Sequence, residues 1–283
     1  MTINKYELQK FIANALSEDI GDGDHTSLST IPADAIGKAK LLVKDEGILA
    51  GIELAKMIFE MVDKDLQIEV LIQDGQPIKY GDIALYVTGR DQSIVTAERL
   101  VLNCIQRMSG IATATHQIVK SLEGTNTKVL DTRKTTPGLR MIEKWAVQIG
   151  GGVNHRIGLY DMILIKDNHV DYAGGIKNAL DAAHQYLKDK NKNLPVEIEV
   201  RSLAELEEVL KIGGIVRIML DNFSYDNIRE AIKIVDGRYP LEASGGITPE
   251  NVRQYAECGV DYVSMGYLTH SVKSLDLSLK AVK

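Results

Sequence analysis

Val216-Arg217-Ile218-Met219-Leu220-Asp221, Leu241-Glu242-Ala243-Ser244-Gly245-Gly246 and Tyr262-Val263-Ser264-Met265-Gly266 share one design. Each is a short apolar run that ends in a residue suited to phosphate, sugar or carboxylate chemistry. The pattern continues upstream. Val196–Val200 carries Glu199, Met162–Ile165 ends in Lys166, and Lys128–Leu130 runs into Asp131-Thr132-Arg133-Lys134. Helix-like stretches separate the runs. From Glu199 to Asp221, Asp221 to Ser244 and Ser244 to Gly266 the intervals are 22, 23 and 22 residues, enough for a strand, a helix and two loops. Parallel strands joined by helices bring their carboxyl ends to one rim, where α/β barrels place their sites. Only six barrel strands are visible, so the reading is an incomplete, TIM-like α/β barrel of about six strands.

The text before residue 112 is different. Tyr6–Leu16 has apolar residues at helical spacing. Ala39–Lys44, Gln67–Ile72 and Asp82–Val87 read as strands, Ile52–Val62 as a helix, and Ser93–Lys120 as a helix interrupted near Ser109-Gly110. The acidic run Asp19–Asp24 lacks the closing glutamate of a calcium loop and reads as a turn. The Asp74–Asp82 hairpin superficially resembles a swinging-arm carrier domain but has no lysine at its tip. Ser274–Val282 is expected to be a helix packing back on the first domain. The expected division is therefore residues 1–112, 113–270 and 271–283.

With 33 basic and 39 acidic residues the net charge is −6, which argues against a general nucleic-acid binder. Two distant cysteines, Cys104 and Cys258, form neither a CxxC pair nor a disulfide framework, and a reduced cytosol is the expected setting. The start Met1–Lys5 lacks the apolar core of a signal peptide. No run approaches the ~20 apolar residues of a membrane span.

Against this acidic background, residues 133–169 carry six Lys or Arg and three Asp or Glu, with His155 and His169 besides. A focused cationic pocket suits a polyanionic small molecule. Arg grips carboxylates with two parallel bonds, while Lys serves phosphate as a point charge. Ser244-Gly245-Gly246 and Gly266 offer backbone amides to a phosphate, with Thr248-Pro249 as the start of a following helix. Glu199 and Asp221, at successive strand exits, suit ribose hydroxyls, donor-bound Mg²⁺ or a positive sugar carbon, or else pair with Lys166 or Arg133. Asp167-Asn168-His169 is assigned no catalysis.

The run Asp131-Thr132-Arg133-Lys134-Thr135-Thr136-Pro137-Gly138-Leu139-Arg140, with Gly151–Arg156 and Leu164–His169, strongly resembles quinolinate phosphoribosyltransferase, also called carboxylating nicotinate-nucleotide pyrophosphorylase. Ala50-Gly51, Glu98-Arg99, Leu102-Asn103, Ser109–Thr113, Asp221-Asn222 and Ser264–Gly266 agree with it. The resemblance implies an N-terminal α/β sandwich, a C-terminal incomplete barrel and a homodimer. It implies a pentosyltransferase that joins quinolinate to 5-phosphoribosyl-1-diphosphate in NAD biosynthesis, yielding nicotinate mononucleotide, pyrophosphate and carbon dioxide. It implies that Arg133, Arg156 and the partner subunit's Arg99 bind the quinolinate carboxylates. Lys134, His155 and Lys166 line the junction with the donor; Glu199 and Asp221 meet the ribose and its Mg²⁺, and Ser244, Gly245, Gly246 and Gly266 hold the 5-phosphate. Lys134, Lys166, Glu199 and Asp221 are the catalytic candidates, and no prosthetic group is needed. A related molybdenum-transport protein with another acceptor, a Schiff-base aldolase using Lys166, and a non-catalytic phosphate-ligand sensor are the competing readings.

Overall fold

A computed structural model describes residues 4–282, so part of the start read above lies outside the described residues. Two compact units emerge: Met1–His116 with Thr135–Gly151 and Leu268–Lys283, and Gln117–Lys134 with Gly152–Tyr267. The expected linear boundaries did not anticipate that residues 135–151 return to the first unit.

The first unit opens with α1 (Lys5–Ile20), capped by the Asn4 side chain, and α2 (His25–Thr30), capped by Asp24 through Ser27 N at 3.0 Å. Asp24 therefore serves as a helix cap within the expected turn. Next come β1 (Ile36–Val43), β2 (Gly47–Ile48), α3 (Ile52–Val62), β3 (Gln67–Val70), β4 (Pro77–Ile78) and β5 (Ile83–Arg90). α3 buries Ile52, Leu54, Ala55, Ile58 and Phe59. The four larger ones, Ile52, Leu54, Ile58 and Phe59, each contribute about 1.5–3 kcal/mol when removed from water.

α4 (Asp91–Ser121) runs through Ser109-Gly110 without the expected break. The glycine is there for close approach. A Cβ on Gly110 would lie 2.2 Å from Lys273 O, and Ser109 Oγ accepts from Ala50 N at 2.9 Å. The C-terminal segment is a second departure. Residues 277–281 form a strand rather than a helix, described below with its partners.

The second unit supplies β6 (Lys128–Leu130); α5 (Arg140–Ile149) then belongs to the first unit. The barrel continues with β7 (Ile163–Ile165), α6 (Asp167–Ala173), α7 (Ile176–Asp189), β8 (Val196–Val200), α8 (Leu203–Ile212) and β9 (Arg217–Asp221). It ends with α9 (Tyr225–Val235), β10 (Leu241–Ser244), α10 (Val252–Glu257) and β11 (Tyr262–Ser264). Last come α11 (Tyr267–His270) and β12 (Leu277–Ala281).

All six barrel strands are parallel, in the order β6-β11-β10-β9-β8-β7. β6 and β7 do not pair, so the barrel is incomplete, as expected. One parallel bridge, Leu130 to Val153, extends the β6 edge. In the first unit the antiparallel sheet β12-β1-β5-β3 takes the C-terminal strand as an edge. The C-terminal segment expected as a helix is thus a strand of this sheet. Among the described residues no helix is long and apolar enough to cross a membrane.

Candidate active site

Strand periodicity places the site. Side chains two apart share a face. On β8, Val196, Ile198 and Val200 share one face, and Glu197 and Glu199 the other. All five are buried. On β9 the polar face carries Arg217, Met219 and Asp221, and on β10 it carries Glu242 and Ser244. Ser244 is the register partner of Asp221. A polar interior thus runs up to the strand exits.

At the exits, Lys166 Nζ donates to Glu199 Oε2 at 2.6 Å. Glu199 is buried and Lys166 half-exposed. Asp167 Oδ1 accepts from Asn168 N at 2.7 Å, and His169 Nδ1 accepts from Lys166 N at 2.9 Å. These neighbours shape the start of α6. Asp221 Oδ2 accepts from Asn222 Nδ2 at 2.7 Å, and Asn222 N donates to Ser244 O at 2.8 Å. Gly245 and Gly246 follow with φ of +97° and +61°. The helix expected at Thr248 begins later. Thr248 to Asn251 first forms a turn, with Thr248 N donating to Asn251 Oδ1 at 2.8 Å, and α10 starts at Val252.

The segment carrying His155 and Arg156 is anchored from beneath. Asp131, fully buried at the end of β6, accepts from His155 N at 2.8 Å and from Asn154 Nδ2 at 2.6 Å. Asp161 accepts from Ile157 N at 2.7 Å and Gly158 N at 2.8 Å, closing the next turn. Arg156 Nη1 donates to Met162 O at 3.3 Å. Partial burial, with the nearby charge of Arg133, lowers the Arg156 pKa. Two guanidinium groups in each other's field favour an anion that satisfies both. Arg133 and Lys134 themselves are exposed, and Lys134 N donates to Thr132 Oγ1 at 3.0 Å. Arg99 is exposed on α4 in the other unit.

His155 is the residue whose surroundings sequence reading did not foresee. Its Nε2 lies 3.3 Å from Glu197 Oε2 and 3.4 Å from Glu242 Oε2, and only 8% of the residue is exposed. Burial alone would lower its pKa. The Glu197 and Glu242 carboxylates against Nε2 outweigh that and push it up, favouring a proton on that nitrogen. The Arg156 N–H aimed at Nδ1, 2.7 Å away, opposes a second proton there, so the ring carries its first proton on Nε2. The two glutamates split. Burial works against the charged form of both, but His155 and Arg217 hold Glu197 below its ordinary value, while Glu242 is raised by burial and by the Glu197 charge. The signal for this layer was present in sequence: Glu197, Arg217 and Glu242 precede Glu199, Asp221 and Ser244 at even spacing.

This is an α/β-barrel enzyme site with cations arranged for a multiply charged anion and carboxylates placed at the strand exits. Residues 24–109 match the family described as "Quinolinate phosphoribosyl transferase, N-terminal domain", and residues 111–280 match its C-terminal domain. The chain belongs to the quinolinate phosphoribosyltransferase family. It is 47% identical to "Quinolinate phosphoribosyltransferase [decarboxylating] 1b" of Nicotiana tabacum, over 97% of this chain and 82% of that one. It is 42% identical to the "Probable nicotinate-nucleotide pyrophosphorylase [carboxylating]" of Bacillus subtilis, over 98% and 94% of the two chains. The solved nicotinate-nucleotide pyrophosphorylase of Francisella tularensis superposes with a TM-score of 0.92 at 40% identity, over 99% of this chain and 98% of that one.

Proposed function

We infer that this chain transfers a phosphoribosyl group from 5-phosphoribosyl-1-diphosphate to quinolinate and releases pyrophosphate and carbon dioxide, giving nicotinate mononucleotide for NAD biosynthesis. Family membership supports the activity. The observation that carries the site reading is the Lys166 Nζ–Glu199 Oε2 pair, 2.6 Å apart at neighbouring strand exits, with Asp221 and Ser244 in register on the next two strands. The molybdenum-associated alternative is not favoured, because both domains and the relatives point to the quinolinate enzymes.

Arg133 and Arg156 take the quinolinate carboxylates, joined by the partner subunit's Arg99 in a homodimer. Lys134, Lys166 and His155 lie toward the acceptor–donor junction. Ser244, Gly245, Gly246 and Gly266 hold the 5-phosphate. The pyridine nitrogen attacks the anomeric carbon as the bond to pyrophosphate breaks. Glu199 and Asp221 stabilise the positive charge that develops on the sugar, and Lys134 and Lys166 draw the leaving negative charge. Lys166 already sits on Glu199, so the two charges are held at a fixed separation before substrates arrive. Once bonded to ribose, the ring nitrogen is cationic. Its positive charge stabilises the electron pair left on the neighbouring ring carbon when the carboxylate there departs as carbon dioxide, and a proton then bonds to that carbon.

The donor set suits Mg²⁺ brought by the substrate. Glu199 is neutralised by Lys166, and Asp221 is half-buried at a strand end, so neither belongs to a protein cage. Glu199 and Asp221 would face that ion, directly or through donor oxygens. Its chemistry is to offset charge on the leaving diphosphate. The cytoplasm is the proposed location.

The test is incubation with quinolinate, the phosphoribosyl donor and Mg²⁺. Equal release of carbon dioxide and pyrophosphate is expected. A folded dimer that binds both substrates without turnover would refute the reading.

A further inference from the structure

Beneath the strand exits lies an ionic cluster around His155 in which the mechanism above leaves Glu197, Arg217 and Glu242 without a task. Arg217 enters it from β9, Glu197 from β8, Glu242 from β10, and His155 from the segment after the Val153 bridge. Arg217 Nη2 lies 2.7 Å from Glu197 Oε2 and 3.3 Å from His155 Nε2, and its Nε lies 3.3 Å from Glu242 Oε2. The guanidinium carbon stands 5.0 Å from the centre of the Tyr262 ring. Both glutamates are fully buried, and the Arg217 side chain is 11% exposed.

Two carboxylates cannot share a dry interior without compensating charge. Neither Glu242 oxygen receives an aligned hydrogen bond, so Glu242 is held by charge. The ligand atoms of His155, Glu197 and Glu242 lie within 4.8 Å of one another, a spacing that would also suit a metal ion. The Arg217 guanidinium already sits against both carboxylates. The counter-ion is therefore the protein's own, fixed in direction by a planar fork.

We propose that Arg217 is a positioning residue for phosphoribosyl transfer: by neutralising Glu197 and Glu242 it fixes the His155 ring, and through the His155–Arg156 peptide it aims Arg156 at the acceptor. The link is a specific bond, Arg156 N–H to His155 Nδ1 at 2.7 Å. The inference rests on Arg156 binding quinolinate. Without Arg217, His155 alone faces two buried carboxylates. Its ring is drawn toward them, or one of them takes up a proton. Either change turns the peptide that presents Arg156. Glu197 lies one pleat repeat before Glu199, but Glu199 has its own cation in Lys166, so the donor side is better insulated.

The experiment compares the full chain with Arg217→Gln and with Arg217→Gln/Glu242→Gln, which removes one charge of each sign. Initial rates are measured with quinolinate varied at saturating donor, then the reverse. Arg217→Gln is expected to raise KM for quinolinate about tenfold or more, the scale of a displaced binding group, with KM for the donor within about threefold. The double variant is expected to return the quinolinate KM to within about threefold of the native value, since neighbouring charges couple. An unchanged quinolinate KM, an equal rise in both KM values, or a double variant no better than the single one overturns the proposal. If Arg217→Gln does not fold, the charge-balanced double variant decides alone: a near-native quinolinate KM supports the role, and a tenfold rise overturns it. Absence of turnover in the native protein refutes phosphoribosyl transfer itself, and this role falls with it.

Discussion

Gly245→Ala would test the phosphate cradle most directly. An added Cβ would lie 2.2 Å from Asn222 Oδ1, 2.6 Å from its Cγ and 3.0 Å from its backbone N. At φ +97° the residue also sits where a side chain is strained, at about 1–3 kcal/mol. Asn222 has little room to retreat. Its own φ is +54°, its N–H is bonded to Ser244 O, and its amide is bonded to Asp221. Losing one of those bonds costs about 0.5–1.5 kcal/mol more. The sum is about 2–4 kcal/mol. At about 2–4 °C per kcal/mol for a protein of this size, the unfolding midpoint should fall by roughly 5–15 °C. The kinetic effect should be selective. The shift reaches Ser244 and Asp221 together, so KM for the phosphoribosyl donor should rise about tenfold or more, while KM for quinolinate moves less. Thermal melts by circular dichroism and initial rates with each substrate varied give both quantities. A variant with a native midpoint and native donor KM would show that the loop accommodates the methyl without moving Asn222, and the cradle assignment would be wrong.

Arg133→Ala should weaken quinolinate binding roughly 10- to 150-fold, the worth of charge-assisted bonds to a carboxylate. Glu199→Ala should lower turnover more than quinolinate affinity. Steady-state and direct binding measurements giving the reverse pattern would refute both roles. Glu143 is fully buried and accepts from Arg107 Nη2 at 2.8 Å and Thr136 N at 3.0 Å. Glu143→Ala removes the carboxylate that pairs with Arg107 and should cost about 3–5 kcal/mol in chemical denaturation, as breaking a buried ion pair does; a loss below about 1 kcal/mol would show that water replaces the carboxylate. Nitrogen NMR of His155 should show its proton on Nε2, facing Glu197 and Glu242, and none on Nδ1. A ring protonated on Nδ1 at neutral pH would break the Arg156 N–H bond and refute the link between the two residues.

The six barrel strands were readable because each pairs a short apolar run with a chemically distinctive exit, as in Leu220-Asp221. Local misreadings have local causes. In Ser274–Val282, Leu275, Leu277 and Leu279 alternate with polar residues, which is the strand period. The helix expectation gave that alternation too little weight. Gly110 looked like a helix break because sequence shows a missing side chain but not the Lys273 carbonyl that needs the space. The placement of Lys166, Glu199 and Asp221 at the ends of strands was legible from the apolar runs before them. The layer of Glu197, Arg217 and Glu242 was not, because charged residues inside apolar strands reveal a partner only when neighbouring strands are in register. Arg217 faces Glu197 through such a pairing.

The antiparallel pairing of Leu277–Ala281 with Ala39–Val43 has a consequence for biosynthesis. Some two hundred and thirty residues separate the two strands. During translation, the flank of Ala39–Val43 that awaits this partner stays open while the whole barrel unit is being made. An open strand flank invites pairing with another nascent chain. Ribosome-bound intermediates should therefore recruit holdase chaperones until Leu277–Ala281 emerges to pair. Removing residues 277–281 would leave that flank permanently open and turn a passing hazard into aggregation.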